Sequence, residues 1–204
     1  MRVLAPLGVI AALGACASPV VAPADAARAC TAAPAALALG VSDDGSPRAY
    51  RALGDGDDVS LFVGSQGLQH LAVALRGRGF DPRLPRVEVR ALRPSDGALA
   101  GRLRVRLPMT AVPEDPSTFA LRAQILVIES EVYCSLLGGP LRLEVDFDDL
   151  AGRCVSLQRT VRLADLAPST PEAQRVSWRR CCTERLPRCY PAPDAGVAPD
   201  VTVD

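Results

Sequence analysis

Residues 141–163 read LRLEVDFDDLAGRCVSLQRTVRL, and this stretch decides the fold. Leu141, Leu143, Val145 and Phe147 alternate with Arg142, Glu144 and Asp146. A period of two places apolar side chains on one face of a strand and charges on the other. Asp148-Asp149-Leu150-Ala151-Gly152 then breaks the pattern with turn chemistry. Val155 and Leu157, followed by Val161 and Leu163, supply a returning strand.

The same alternation extends back along the chain. Phe119, Leu121, Ala123, Ile125 and Val127 alternate and read as one apolar face. Leu103, Val105 and Leu107 alternate with Arg102, Arg104 and Arg106. Val87, Val89 and Ala91 alternate with Arg86, Glu88 and Arg90. Val59–Val63 and His70–Leu75 are short apolar runs on either side of the turn-like Gly64-Ser65-Gln66-Gly67. The connections carry Gly, Pro and Asp, as in Asp81-Pro82, Pro94-Ser95-Asp96-Gly97 and Gly138-Gly139-Pro140. Strands at this spacing predict an antiparallel sandwich. Ser169-Thr170-Pro171-Glu172 offers a cap, an early proline and an acidic first turn. It predicts a short C-terminal helix running to about Arg180.

Composition excludes several classes. The chain has 204 residues, with 23 basic against 23 acidic side chains. Net neutrality leaves no electrostatic footprint for nucleic acid. An apolar content of 49% is too high for a wholly disordered chain. No apolar run reaches the roughly 18–20 residues of a spanning helix. Every basic residue is arginine, and lysine and asparagine are absent. That pattern fits a GC-rich genome, so the arginines are partly a codon effect. With 4% aromatic residues, a sugar-binding platform or glycosidase cleft has no material for its walls.

Residues 1–16 read MRVLAPLGVIAALGAC. Arg2 gives a positive start and Val3–Leu13 an apolar core of signal-peptide length. The closing Leu13-Gly14-Ala15-Cys16 resembles the lipobox of bacterial lipoproteins. The resemblance implies that Cys16 carries diacylglycerol and becomes the acylated first residue after cleavage. Ala17 at the following position implies the outer membrane by the same resemblance. Ala15-Cys16-Ala17 and Ala24-Asp25-Ala26 remain open as ordinary cleavage sites, giving a secreted or periplasmic protein. The 141–163 hairpin resembles the terminal hairpin of bacterial immunoglobulin-like domains. The whole is similar to small envelope lipoproteins of GC-rich Gram-negative bacteria. The expected fold is therefore all-β: a single antiparallel immunoglobulin-like β-sandwich of about 7–9 strands with a short C-terminal helix. The expected organisation is a signal peptide over 1–15, an Ala/Pro-rich tether over 16–36 and the sandwich over 37–166. A Cys-rich segment over 167–189 and a disordered tail over 190–204 follow.

Seven cysteines are present. With Cys16 lipidated or removed, Cys30, Cys134, Cys154, Cys181, Cys182 and Cys189 remain, enough for three disulfides in an oxidising compartment. Cys134 and Cys154 flank a strand–turn unit and are the preferred pair. Cys189 is expected on one of the adjacent Cys181 and Cys182, with Cys30 on the other. A thiol metal site is the alternative, but there is no Cys-x-x-Cys and His70 is the sole histidine.

Candidate chemistry is sparse. His70 has no Gly-x-Ser-x-Gly elbow near it and reads as structural. Asp43-Asp44-Gly45, Asp55, Asp57, Asp58, Asp146, Asp148 and Asp149 fall in turns without EF-hand spacing. The Arg102/Arg104/Arg106 row reads as a solvated face. No catalytic residue, metal or cofactor is assigned, and the chain is not expected to be an enzyme. The expected role is a lipid-anchored envelope module, structural or ligand-binding, whose partners are the membrane and another envelope protein. An exported enzyme or metal site on the same sandwich, or an accessory subunit of an envelope complex, are the alternatives.

Overall fold

The computed structural model describes residues 30–46, 48–64 and 68–184. Cys16, the lipobox, most of the tether, Cys189 and the 190–204 tail lie outside them, as does the Ser65-Gln66-Gly67 turn. Among the described residues there are ten strands: β1 Ala36–Val41, β2 Arg51–Ala52, β3 Asp58–Val63, β4 Gln69–Arg78, β5 Arg86–Leu92, β6 Leu99–Arg106, β7 Thr110–Val112, β8 Asp115–Ile128, β9 Pro140–Asp148 and β10 Cys154–Leu166. Two helices, α1 Ser130–Leu136 and α2 Glu172–Glu184, complete the described chain.

The strands form one curled, sandwich-like mixed sheet. One half holds β2, β1, β4, β8 and β7; the other holds β10, β9, β5 and β6. β3 joins the halves by changing partner along its length. Asp58, Val59 and Leu61 run parallel to Arg162, Leu163 and Leu166 of β10. Phe62 and Val63 run antiparallel to His70 and Gln69 of β4. The expected purely antiparallel sandwich is therefore corrected. β3 returns into the other half through β4, so nothing forces it to oppose β10.

The 141–163 hairpin pairs from Cys154↔Asp148 to Arg162↔Pro140. Leu141, Leu143, Val145 and Phe147 are buried, as are Val87, Val89 and Ala91 beside them on β5. The alternation in β8 holds only for its first half. Val73 opposes Gln124 and Leu75 opposes Leu121, so Arg122 and Ala123 together face Ala74. This extra residue reverses which side chains point inward. Leu121 is buried, but beyond the bulge Leu126 and Ile128 are buried while Ile125 is 60% exposed.

α2 begins at Glu172 as expected and runs four residues beyond Arg180. Tyr133 of α1 meets Trp178 of α2 edge-on, with ring centroids 6.1 Å apart. Arg179 pairs with Asp165 at the end of β10. The disulfides differ from the expected ones. Cys30 is bonded to Cys154, Cα–Cα 5.5 Å, and Cys134 to Cys182, Cα–Cα 5.1 Å. Cys134 lies on α1 rather than in a strand–turn unit, which removes it from Cys154. Ala32 forms a parallel bridge with Arg153, and the Cys154 N–H donates to the Ala32 carbonyl. The chain before β1 is thus laid against the hairpin turn, not against α2. Cys181 lies in α2, and its side chain falls outside what the structure describes.

Candidate functional site

The acidic turns are used up in holding the backbone. The Asp57 carboxylate accepts from the Gly54 N–H at 2.8 Å, and Asp55 from the Thr160 N–H at 2.7 Å. Asp43 pairs with Arg51, and Asp58 with Arg162, whose guanidinium holds the Asp58 carboxyl below its ordinary pKa. Asp149 is fully buried and accepts from the Asp81 and Arg153 N–H groups, each at 2.7 Å. Among the described residues, no group of three or more His, Cys, Asp or Glu side chains could hold a metal ion.

Two arginines of the β6 row are bound to its neighbour, while Arg106 enters no ion pair among the described residues. Arg102 and Arg104 both donate to Glu88 of β5, at 2.6 and 2.9 Å. Burial works to raise the Glu88 carboxyl, and the two guanidiniums outweigh it, holding its pKa below 4.5. Across the same outer face Arg90 pairs with Glu144 and Asp146, and Arg86 with Asp148. His70 is half-buried and stacks on Phe62, ring centroids 5.9 Å apart. Burial pushes its pKa down, opposed by a hydrogen bond to the Leu68 carbonyl. Among the described residues no carboxylate is bonded to it.

One cavity, of about 400 Å³, gathers unpaired charge. Its floor is a row across three strands: Arg76 of β4 faces Ala120 of β8, which faces Thr110 of β7. On its other side Arg76 faces Ala38 of β1. Leu71, Val73 and Leu75 of β4 point into the core, so Ala72, Ala74 and Arg76 point outward. Small side chains on either side of Arg76 leave the space. Arg48 and Tyr50, from the β1–β2 connection, form one wall. Pro113 and Glu114, from the β7–β8 turn, form the other, and Arg122 enters from the bulge in β8.

Tyr50 lies under the Arg76 guanidinium, whose Cζ is 4.3 Å from the ring centroid. Its hydroxyl donates to the Ala38 carbonyl at 3.4 Å. Gly40 makes this placement possible, since a Cβ there would sit 2.3 Å from the Tyr50 ring. Burial raises the Tyr50 pKa, and the Arg76 charge partly offsets it. The Nε of Arg76 is buried with no hydrogen-bond partner. Among the described residues Arg48, Arg76 and Arg122 enter no ion pair, as is also true of Arg78, Arg106 and Arg159 away from the cavity, whereas Arg51, Arg86, Arg90, Arg102, Arg104, Arg142 and Arg162 all do. Three arginines thus face one lining carboxylate, Glu114.

None of the residues that build this cavity is singled out by motif. The available signal is small residues at the outward positions of β4, Ala72 and Ala74, ending on Arg76. In the sequence these merge into an apolar run.

No protein-family model matches the chain, and no curated protein matches it. Among solved structures it is similar to the crystal structure of CopC from Methylosinus trichosporium OB3b. The match has 15% identity and a TM-score of 0.26, and covers 54% of this chain and 85% of that one. So loose a superposition conveys neither a family nor a function.

Proposed function

We propose that this chain is a lipid-anchored protein of the bacterial cell envelope that binds a small anionic ligand in the Tyr50–Arg76 cavity, without catalysing a reaction. One observation carries the binding: Arg48, Arg76 and Arg122, none of them in an ion pair among the described residues, line one cavity with a single carboxylate, Glu114. A guanidinium presents its donors in a planar fork that suits carboxylate or phosphate oxygens. Tyr50 stacked beneath Arg76 holds that fork in place before a ligand arrives. The lining's polar side chains are three guanidiniums, the Glu114 carboxylate and the hydroxyls of Tyr50 and Thr110. The proposal assigns these groups to holding an anion.

The lipobox Leu13-Gly14-Ala15-Cys16 supports anchoring through Cys16. Two disulfides suit an oxidising compartment outside the cytosol. Ala17 favours the outer membrane, and the immunoglobulin-like reading of the sandwich rests on the 141–163 hairpin.

The binding is tested on protein with ¹⁵N-labelled arginine, following the Nε–Hε resonances during titration with inorganic phosphate and, separately, with succinate. A saturable shift confined to Arg48, Arg76 and Arg122, weakened at high salt, is expected for at least one probe. Tyr50→Ala, which removes the ring beneath the Arg76 guanidinium, should weaken it about tenfold. Small, non-saturating shifts spread equally over Arg83 and Arg162 would overturn the reading.

A further inference from the structure

The wall of the sheet has an opening. β6 pairs with β5 alone, and β7 covers β8 only over Asp115–Ala120. Between β6 and β8 the Glu129 N–H donates to the Ala100 carbonyl at 2.9 Å. The contact there is close because Gly101 has no side chain, and a Cβ would lie 2.2 Å from the Val127 carbonyl oxygen. Past that point, among the described residues, Arg102–Arg106 has no strand on its outer edge. The inward row of β6 records the gap. Leu103 and Val105 are only partly buried, while their neighbours Val89 and Val87 on β5 are 1% exposed. Arg102 and Arg104 stand on the outer face at this edge, with 43% and 51% of their side chains exposed. An unprotected strand edge of this kind is a template for strand addition.

We infer that the open edge of β6 accepts an added strand and that its occupant is this chain's own segment Asp200-Val201-Thr202-Val203-Asp204. β6 offers Arg102-Leu103-Arg104-Val105-Arg106, which is cation, apolar, cation, apolar, cation. Residues 200–204 offer acid, apolar, hydroxyl, apolar, acid over the same five positions. Laid alongside, Val201 and Val203 fall on the side of Leu103 and Val105 and complete the row that the opening leaves short. Asp200 and Asp204 fall on the side of the arginines, where opposite charges across adjacent strands attract. The β-branched residues favour the extended backbone that this pairing needs. Fifteen residues, 185–199, separate α2 from the segment, and at up to about 3.5 Å each they span a domain of this size.

Hydrogen–deuterium exchange tests this on the disulfide-intact protein. The full chain is compared with one ending at Pro199 and with a Val201→Asp/Val203→Asp variant. The expected result is that those amides of Arg102–Arg106 that point away from β5 exchange at least about tenfold faster in both altered chains, with β5 and β9 amides unchanged. Equal rates in all three would overturn the inference. So would protection in the full chain that rises with protein concentration, which would assign the edge to a second copy instead. If the shortened chain loses protection in β9 as well, the Val201→Asp/Val203→Asp chain decides the matter by the same criterion.

Discussion

A few side chains fix the chain locally, and Asp149 is the clearest. Its carboxylate is fully buried and holds the N–H groups of Asp81 and Arg153, joining the loop before β5 to the β9–β10 turn. Removing it leaves two part-buried N–H donors without an acceptor. Asp149→Ala should therefore cost about 3 kcal/mol in urea unfolding, and a loss under about 0.5 kcal/mol would contradict the reading. Glu88 acts differently, as one anion shared by Arg102 and Arg104. Its folded pKa lies below 4.5, so the unfolded chain takes up the proton first as pH falls. Its contribution is complete above pH 4.5 and fades as pH drops through the lower folded value. Urea midpoints at about pH 6 and about pH 3 should show the wild type losing more stability than Glu88→Gln over that interval. Parallel losses would remove the carboxylate from the account.

At the level of elements, what was legible depended on whether one strand keeps one periodicity. β5 and β9 alternate without interruption, and so does β6 from Arg102 onward, past an irregularity at Ala100–Gly101; their apolar residues named in the sequence are those on the core side. β8 does not, because the bulge at Arg122–Ala123 reverses its faces. Ile125 and Val127 are therefore exposed, although the sequence places them with Leu121. β2 and β7, of two and three residues, are too short to show a period. α1 was hidden for the same reason, a single seven-residue turn segment between long strands. That helix also decides the disulfides. Cys134 on α1 reaches Cys182 on α2, closing a separation of 48 residues. The loop-closure entropy of such a link is about 4 kcal/mol. Cys134→Ser/Cys182→Ser should lower the unfolding free energy by about 2–4 kcal/mol and free α2 from Tyr133, read as loss of the near-ultraviolet signal of Trp178. An unchanged signal would mean that packing alone seats the helix.

Over the whole molecule, the sequence shows the all-β character and the oxidised framework but not the binding cavity. The cavity arises where β4, β7, β8 and the β1–β2 connection converge, and no local pattern encodes a convergence. The proposed anchoring stands the other way round, resting on residues 1–16 alone, which close on the lipobox-like Leu13-Gly14-Ala15-Cys16. The two halves make one protein only if the chain leaves the cytosol. On the proposed reading, the thiols oxidise there and the Arg76 cavity meets its ligand there.

The intact mass of the mature protein, before and after reduction, tests this most directly. The account predicts a chain beginning at Cys16, heavier than its peptide by diacylglycerol and a fatty acyl group. Reduction should add at least about 4 Da for two disulfides. A chain that retains Met1 and gains nothing on reduction would contradict it.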